Sequence, residues 1–252
     1  MKYIIYILIA FSSFGINAQN QDLFAQGNAL YNKEKYAEAI DKYMAVLNTK
    51  KHSADLYFNL ANAHYKLNNI APSIYYYEKA LMLNPNDADI QNNIAFAKNM
   101  TIDAIDVVPD AGFSKLVKST TNTFTFDAWA TAAVVLVFCF VVLFLVYYFS
   151  FSTVIKRLTF ISSIIALTGA FITLAFAFHK FNIDKKNNPA IVFVQEAKIK
   201  TDPNLRSEEA FRLHEGTKVQ VIDNYNNWKK IELADGKTGW INSEDIKLLK
   251  EF

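Results

Sequence analysis

Cysteine is almost missing from this 252-residue chain: there is one, Cys139, and it lies inside the most apolar stretch. A single thiol excludes a disulfide within one chain. The absence of any cysteine near residue 20 excludes a lipid-modified N-terminal cysteine. Glycine is scarce as well, seven in all, too few and too scattered for a phosphate-cradling loop, and no Gly-x-Ser-x-Gly elbow occurs. The four histidines (His52, His64, His179 and His214) are far apart in the chain. None stands with cysteine or carboxylates at metal-ligand spacing. The formal charge is only +2, with no block of like charge, so nucleic acid has no electrostatic footprint. Glu208-Glu209 and Glu244-Asp245 read as solvated loop charges. These absences argue against an enzyme and imply no cofactor and no metal; what is present argues for binding.

The apolar content, 52%, is uneven. Lys2 precedes an apolar run from Tyr3 to Gly15, then Ile16-Asn17-Ala18 and polar Gln19, Asn20 and Gln21. A basic start, a short apolar centre and a small residue at the end make residues 1–18 an export signal cut after Ala18; the alternative is an uncleaved anchor helix. Between Asp127 and Lys156 no residue is charged, and Leu158 to Phe178 is a second such run. Each is long enough to cross about 30 Å of hydrocarbon. Spanning helices are therefore expected at 128–149 and 158–178, with a loop at 150–157. Trp129, Tyr147 and Tyr148 stand at the ends of the first, as interfacial aromatics do. A hairpin puts both flanking regions on one side. An exported N-terminus makes that side periplasmic, with Lys156 and Arg157 in a cytoplasmic loop. Residues 106–127 and 179–188 are expected as linkers, the first with Phe113, Leu116 and Val117 lying along the membrane surface.

A repeat of 34 residues precedes the hairpin. Gly27-Asn-Ala-Leu-Tyr31 matches Ala61-Asn-Ala-His-Tyr65; Tyr36 matches Ile70, Ile40 matches Ile74, Tyr43 matches Tyr77, and Leu47 matches Leu81. Pro85 closes the second copy, where the first has Lys51. Small residues (Gly27, Ala39, Ala61, Ser73, Ala80) fall where paired helices touch, and large ones fill the gaps. The pattern resembles the tetratricopeptide repeat. It covers 20–105 as two repeats and a capping helix from Ala88 to about Ile105. Two repeats are short for a solenoid, which predicts marginal stability or support from the membrane or a partner. The inner face comes from the first helix of each repeat, and its phase selects Phe24, Asn28, Tyr31, Phe58, Asn59, Asn62, Tyr65, Lys66, Asn92 and Phe96, with Asp55, Asp89 and Asn93 beside them. Asparagine amides both donate and accept, so a row of them can hold an extended peptide backbone. The alternative is that these groups are only solvated. The family's carboxylate clamp needs lysine where Phe24 and Asp89 stand, so a C-terminal carboxylate is not the expected ligand.

From 189 to 252 the apolar runs become short, and turn signals separate them: Asp202-Pro203-Asn204, Glu215-Gly216, Asn224 to Asn227 and Asp235-Gly236. That alternation predicts a small barrel. Gly216-Thr-Lys-Val-Gln-Val221, Trp228-Lys-Lys-Ile231 and Asp235-Gly-Lys-Thr-Gly-Trp240 resemble a bacterial SH3-like domain. Asp235-Gly236 fits a hairpin turn and Gly239 a place where backbones crowd. Tyr225 and Trp240 are the contact candidates, and Trp228 reads as structural.

The expected fold class is therefore multi-domain: an all-α tetratricopeptide solenoid, two transmembrane helices and an all-β SH3-like barrel. That order, with Phe211-Arg-Leu-His-Glu-Gly-Thr-Lys-Val219, resembles the aerotolerance-operon E family (BatE type) of the Bacteroidota. The resemblance implies an inner-membrane protein with both soluble domains periplasmic. It implies partners among aerotolerance-operon membrane proteins of von Willebrand A type and a MoxR-type ATPase system. A scaffold binding an extended partner segment is the expected function. An envelope sensor whose barrel binds cell-wall peptide (peptidoglycan) is the alternative.

Overall fold

The computed structural model describes residues 19–105 and 112–250, without the side chains of Phe113 and Ser114. The export signal expected at 1–18 and the side chain of Phe113 lie outside these described residues. The chain forms two compact units. One is built from the segments on either side of the apolar hairpin, and the other is the hairpin with the helix before it.

The first unit opens with five helices: α1 (19–32), α2 (Tyr36–Asn48), α3 (Ala54–Lys66), α4 (Ile70–Leu83) and α5 (Ala88–Lys98). The repeat is visible in its turns. Glu34 and Asn68, one period apart, both take positive φ, and Lys35 N and Asn69 N donate to Leu30 O and His64 O at 3.0 Å. Ser53 caps α3 through Leu56 N, and Asp87 caps α5 through the amides of Asp89 and Ile90. Small residues sit where the sequence placed them. A Cβ on Gly27 would collide with the Tyr43 ring, so only glycine lets α1 and α2 approach. Ser73, which stands where alanine is usual, is buried, and its hydroxyl donates to Ala61 O at 3.1 Å. The extra polar atom is satisfied within the helix pair.

After the hairpin the chain forms β1 (Pro189–Val192), β2 (Glu196–Lys200), β3 (Glu209–His214), β4 (Lys218–Tyr225), β5 (Trp228–Glu232), β6 (Thr238–Asn242) and β7 (Ile246–Leu248). A 3-10 turn at Ser243–Asp245 precedes β7. The strands pair antiparallel in the order β3-β2-β6-β5-β4-β1-β7. The core is aliphatic: Val192, Ile199, Leu213, Val219, Val221, Ile231, Ile241 and Ile246 among others. Gly236 turns at φ +87, and a Cβ on Gly239 would strike the Ile199 side chain, as the sequence predicted for both.

Repeats and barrel pack as one body. Ile191 and Leu249 of the barrel are fully buried in the same cluster as Ile74, Tyr77 and Ala80 of α4 and Ile94 of α5. The sequence suggested two separate heads and a helix running to Ile105. Instead α5 stops at Lys98, and 99–105 leads to the barrel. Ile105 packs against the barrel core. The short stack thus shares its buried core with the barrel.

The second unit holds α6 (Gly112–Asn122), α7 (Phe126–Phe149) and α8 (Thr153–Lys186). Helix α6 lies within the stretch expected as linker. Helix α8 runs beyond both ends of the expected span. At 24 and 34 residues, α7 and α8 are long and apolar enough to cross a membrane. Ser163, Ala166, Ala170 and Ala177 form a buried stripe on α8, and Ala133 is buried on α7. Small residues of this kind let apolar helices approach closely. Trp129 packs on Phe176 and Tyr147 on Phe160, so the two helices run antiparallel.

Candidate functional site

Three polar side chains recur at the repeat period and build the inner face. Asn28 Oδ1 accepts from Tyr43 Oη at 2.8 Å and from Asn59 Nδ2 at 2.9 Å. One period later Asn62 Oδ1 accepts from Tyr77 Oη at 2.5 Å and from Asn93 Nδ2 at 3.0 Å. Each trio ties three helices together: the first helix of a repeat, its second, and the first helix of the next. Burial pushes the Tyr43 phenol up to about 12, with Tyr31 adding to the shift. Burial raises Tyr77 too. Both phenols therefore keep their protons and remain donors.

A groove of about 270 Å³ opens on the second trio, lined by Tyr31, Asn62, Tyr65, Lys66, Tyr77, Asn93 and Phe96. Of the residues selected by repeat phase, Tyr31, Asn62, Tyr65, Lys66 and Phe96 meet there. Phe96 is 61% exposed, an unusual state for a phenylalanine. Asn28 and Asn59 belong to the first trio. Phe58 packs on Tyr77 at 6.0 Å between ring centroids, within the repeat core. Phe24 packs on Tyr43 at 5.8 Å and lines a different depression of about 470 Å³ with Asp55, Lys51 and His52. Asn92 is exposed on α5 and does not line the groove. Tyr77, which repeat phase does not place on the inner face, also lines the groove. The signal for this was available, since Tyr43 and Tyr77 share the period of Asn28 and Asn62.

The barrel has an outer face of its own. Cross-strand partners point to the same side. Tyr225 pairs with Trp228, Lys230 with Trp240, and Trp240 with Lys200. The register therefore lines up Tyr225, Trp228, Lys230, Trp240 and Lys200 opposite the aliphatic core. Tyr225 is 55% exposed, and Lys230 Nζ lies 6.0 Å from the Trp240 ring centre.

Polar clasps flank the apolar contact between repeats and barrel. Glu78 of α4, its side chain only 7% exposed, lies 2.7 Å from Lys218 of β4 and 2.9 Å from Lys98 of α5. The Lys218 contact is a hydrogen bond to Oε2; that of Lys98 with Oε1 is ionic without well-angled hydrogen-bond geometry. Burial alone would raise the Glu78 carboxyl, but Lys218 and Lys98 hold it below its ordinary value. Asp103 accepts from His214 N and Thr217 Oγ1, both at 2.6 Å, and meets His214 Nδ1 at 2.8 Å. Burial works against the charged form here too, and the bonds from Thr217 and His214 win, lowering the Asp103 carboxyl. Tyr75 adds a bond to Leu248 O at 3.3 Å and an edge contact with Phe193.

Comparison with known families agrees with this architecture. A bacterial SH3 domain model matches 196–247, a tetratricopeptide repeat model 54–87, and a second repeat model 27–68. No curated protein matches the chain. Among solved structures, an NlpC/P60 family protein from Bacillus cereus is similar over 28% of this chain and 23% of its own, at 13% identity and a TM-score of 0.22. Similarity at that level says nothing about function. The matched domains are typically non-catalytic binding modules, and no enzyme family is indicated. Among the described residues no cluster of His, Cys, Asp or Glu could hold a metal ion.

Proposed function

We propose that the protein is a membrane-anchored scaffold of the bacterial envelope whose repeat groove binds an extended segment of a partner protein. The observation that carries this is the groove on the Asn62 trio, where Tyr31, Tyr65 and Phe96 offer apolar contact and Lys66 a cation. The side-chain amides of Asn62 and Asn93 are held in place by Tyr77 and by each other, so a peptide backbone meets oriented groups. Preorganisation of that kind lowers the entropic cost of binding. The module order and the 211–219 phrase support a place in an aerotolerance-related complex, with von Willebrand A-type membrane proteins and a MoxR-type ATPase system as partners. In this reading the protein sits in the inner membrane with repeats and barrel in the periplasm. The shared core of repeats and barrel supports a common compartment, because one folded body cannot be divided by a bilayer. Purification of the full chain from mild detergent tests the proposal. The von Willebrand A-type proteins should accompany it and be lost from Tyr65→Ala/Lys66→Ala. Their retention by that variant would contradict a groove-bound partner.

The second reading is an envelope sensor, favoured by the aromatic outer face of the barrel and by the family match over 196–247. Cell-wall peptides carry carboxylates that Lys200 and Lys230 could meet. Binding of the full chain to purified cell wall, abolished by Tyr225→Ala/Trp240→Ala, would favour it over the scaffold.

A further inference from the structure

Helix α6 is pinned at a defined height on the hairpin. Only Thr123, Phe124 and Thr125 separate it from α7, and Thr125 caps α7 through Ala128 N at 3.2 Å. Trp129 Nε1 donates to Thr121 O, and Lys180 Nζ to Asn122 Oδ1, each at 3.1 Å. Thr121 is fully buried, and the Phe124 ring meets Trp129 edge-on at 5.2 Å. The C-terminal end of α6 is thus bound at the level of Trp129 and Lys180. That level is where the uncharged belt of the hairpin ends: α7 carries no charge from Ala128 to Phe149, and Asp184, Lys185 and Lys186 follow Lys180 on α8. Tryptophan and lysine at such a boundary sit among lipid headgroups.

At this height α6 exposes both apolar and basic groups. Leu116 is 63% exposed, and Lys115 and Lys118 beside it are exposed too. Val117 and Thr120 are half-buried, so the helix has a protein-facing side and an open side. An open leucine flanked by lysines is poorly matched to water and well matched to the headgroup layer, where the acyl boundary takes the leucine and phosphate takes the lysines. We propose that α6 is an in-plane interfacial helix that seats Leu116 at the acyl boundary and holds anionic phospholipid headgroups with Lys115 and Lys118. The proposal rests on α7 and α8 crossing the bilayer.

The test is depth measurement by spin label in the full chain, reconstituted in lipid discs, in a Cys139→Ala background. Labels go at Leu116→Cys and, as a reference for the span, at Phe138→Cys. In discs containing phosphatidylglycerol, position 116 should collide with oxygen more than with a water-soluble nickel chelate, at a depth shallower than position 138. Lys115→Gln and Lys118→Gln should each reduce the inserted population by about fivefold. Discs of phosphatidylcholine alone remove the partner of both lysines and should reduce it by about twenty-five-fold. A label at 116 open to the chelate in both lipids would overturn the proposal while leaving the spans intact. Equal depth in both lipids and in the lysine variants would overturn the anionic headgroup as ligand. A chelate-accessible position 138 would remove the spans and this inference together.

Discussion

Asn62 shows how one side chain can serve structure and binding at once. Its oxygen is committed to Tyr77 and Asn93, and the residue also lines the groove. Replacing it with leucine strands a buried phenol, which costs about 1–3 kcal/mol. Chemical denaturation of the full chain in detergent should show that loss for Asn62→Leu and a clearly smaller one for Asn62→Asp, which keeps an acceptor. His64 gives a second prediction at this scale. It stacks on Tyr76, and burial, helped by Lys247, lowers its pKa from 6.5 to about 4. The folded state therefore resists a proton that the unfolded chain accepts. The sign follows: His64 contributes full stability above pH 6.5, and that contribution falls away as pH drops toward 4. A melting-temperature series over this interval should decline in the native protein and be flatter in His64→Gln. Most groove residues were legible because repeat phase alone assigns them to an inner face. Phe24, Phe58 and Asn92 lie off the groove because phase sets the direction of a side chain and not what neighbouring helices leave open around it.

Among elements, α4 and α5 meet β1, β4 and β7 through apolar packing and polar clasps. Glu78 is the group most exposed to loss there. Removing one member of a buried ion pair costs about 3–5 kcal/mol. Glu78→Ala leaves Lys98 and Lys218, both nearly half exposed and able to turn to water, so it should weaken docking by less than that, about 1–3 kcal/mol. Acid should act in the same direction. The folded-state pKa values of Glu78 and Asp103 both lie below ordinary carboxylate values, so their stabilisation is complete above 4.5 and is lost as pH falls through the lowered values. Gly216 offers a separate handle. It sits at φ +85, and a Cβ there would lie 2.9 Å from Ile74 and Thr101 side-chain carbons. Gly216→Val should speed hydrogen exchange in α4, β1 and β7 while the central strands β5 and β6 stay protected. Uniform loss of protection would mean that the barrel itself had unfolded. The repeats, hairpin and barrel were legible as elements because each has its own period: 34 residues, an uncharged run, and short alternating strands. Their docking was not, because pairs such as Tyr75 with Leu248 or Glu78 with Lys218 leave no local pattern in the chain. Helix α6 was hidden for a related reason, being too short for periodicity to separate it from a polar linker.

On the scale of the whole molecule, the path of the chain constrains the topology. A body assembled from 19–105 and 188–250 is interrupted by a hairpin of two apolar helices, and both parts must reach the same aqueous phase for their shared core to form. Single cysteines in a Cys139→Ala background test this claim most directly, through labelling of intact cells with a membrane-impermeant maleimide. Asn48→Cys in the repeats and Leu205→Cys in the barrel should react alike, and Ser152→Cys between the apolar helices should react only after lysis. Opposite behaviour of positions 48 and 205 would contradict the account, since no single folded body could then include both.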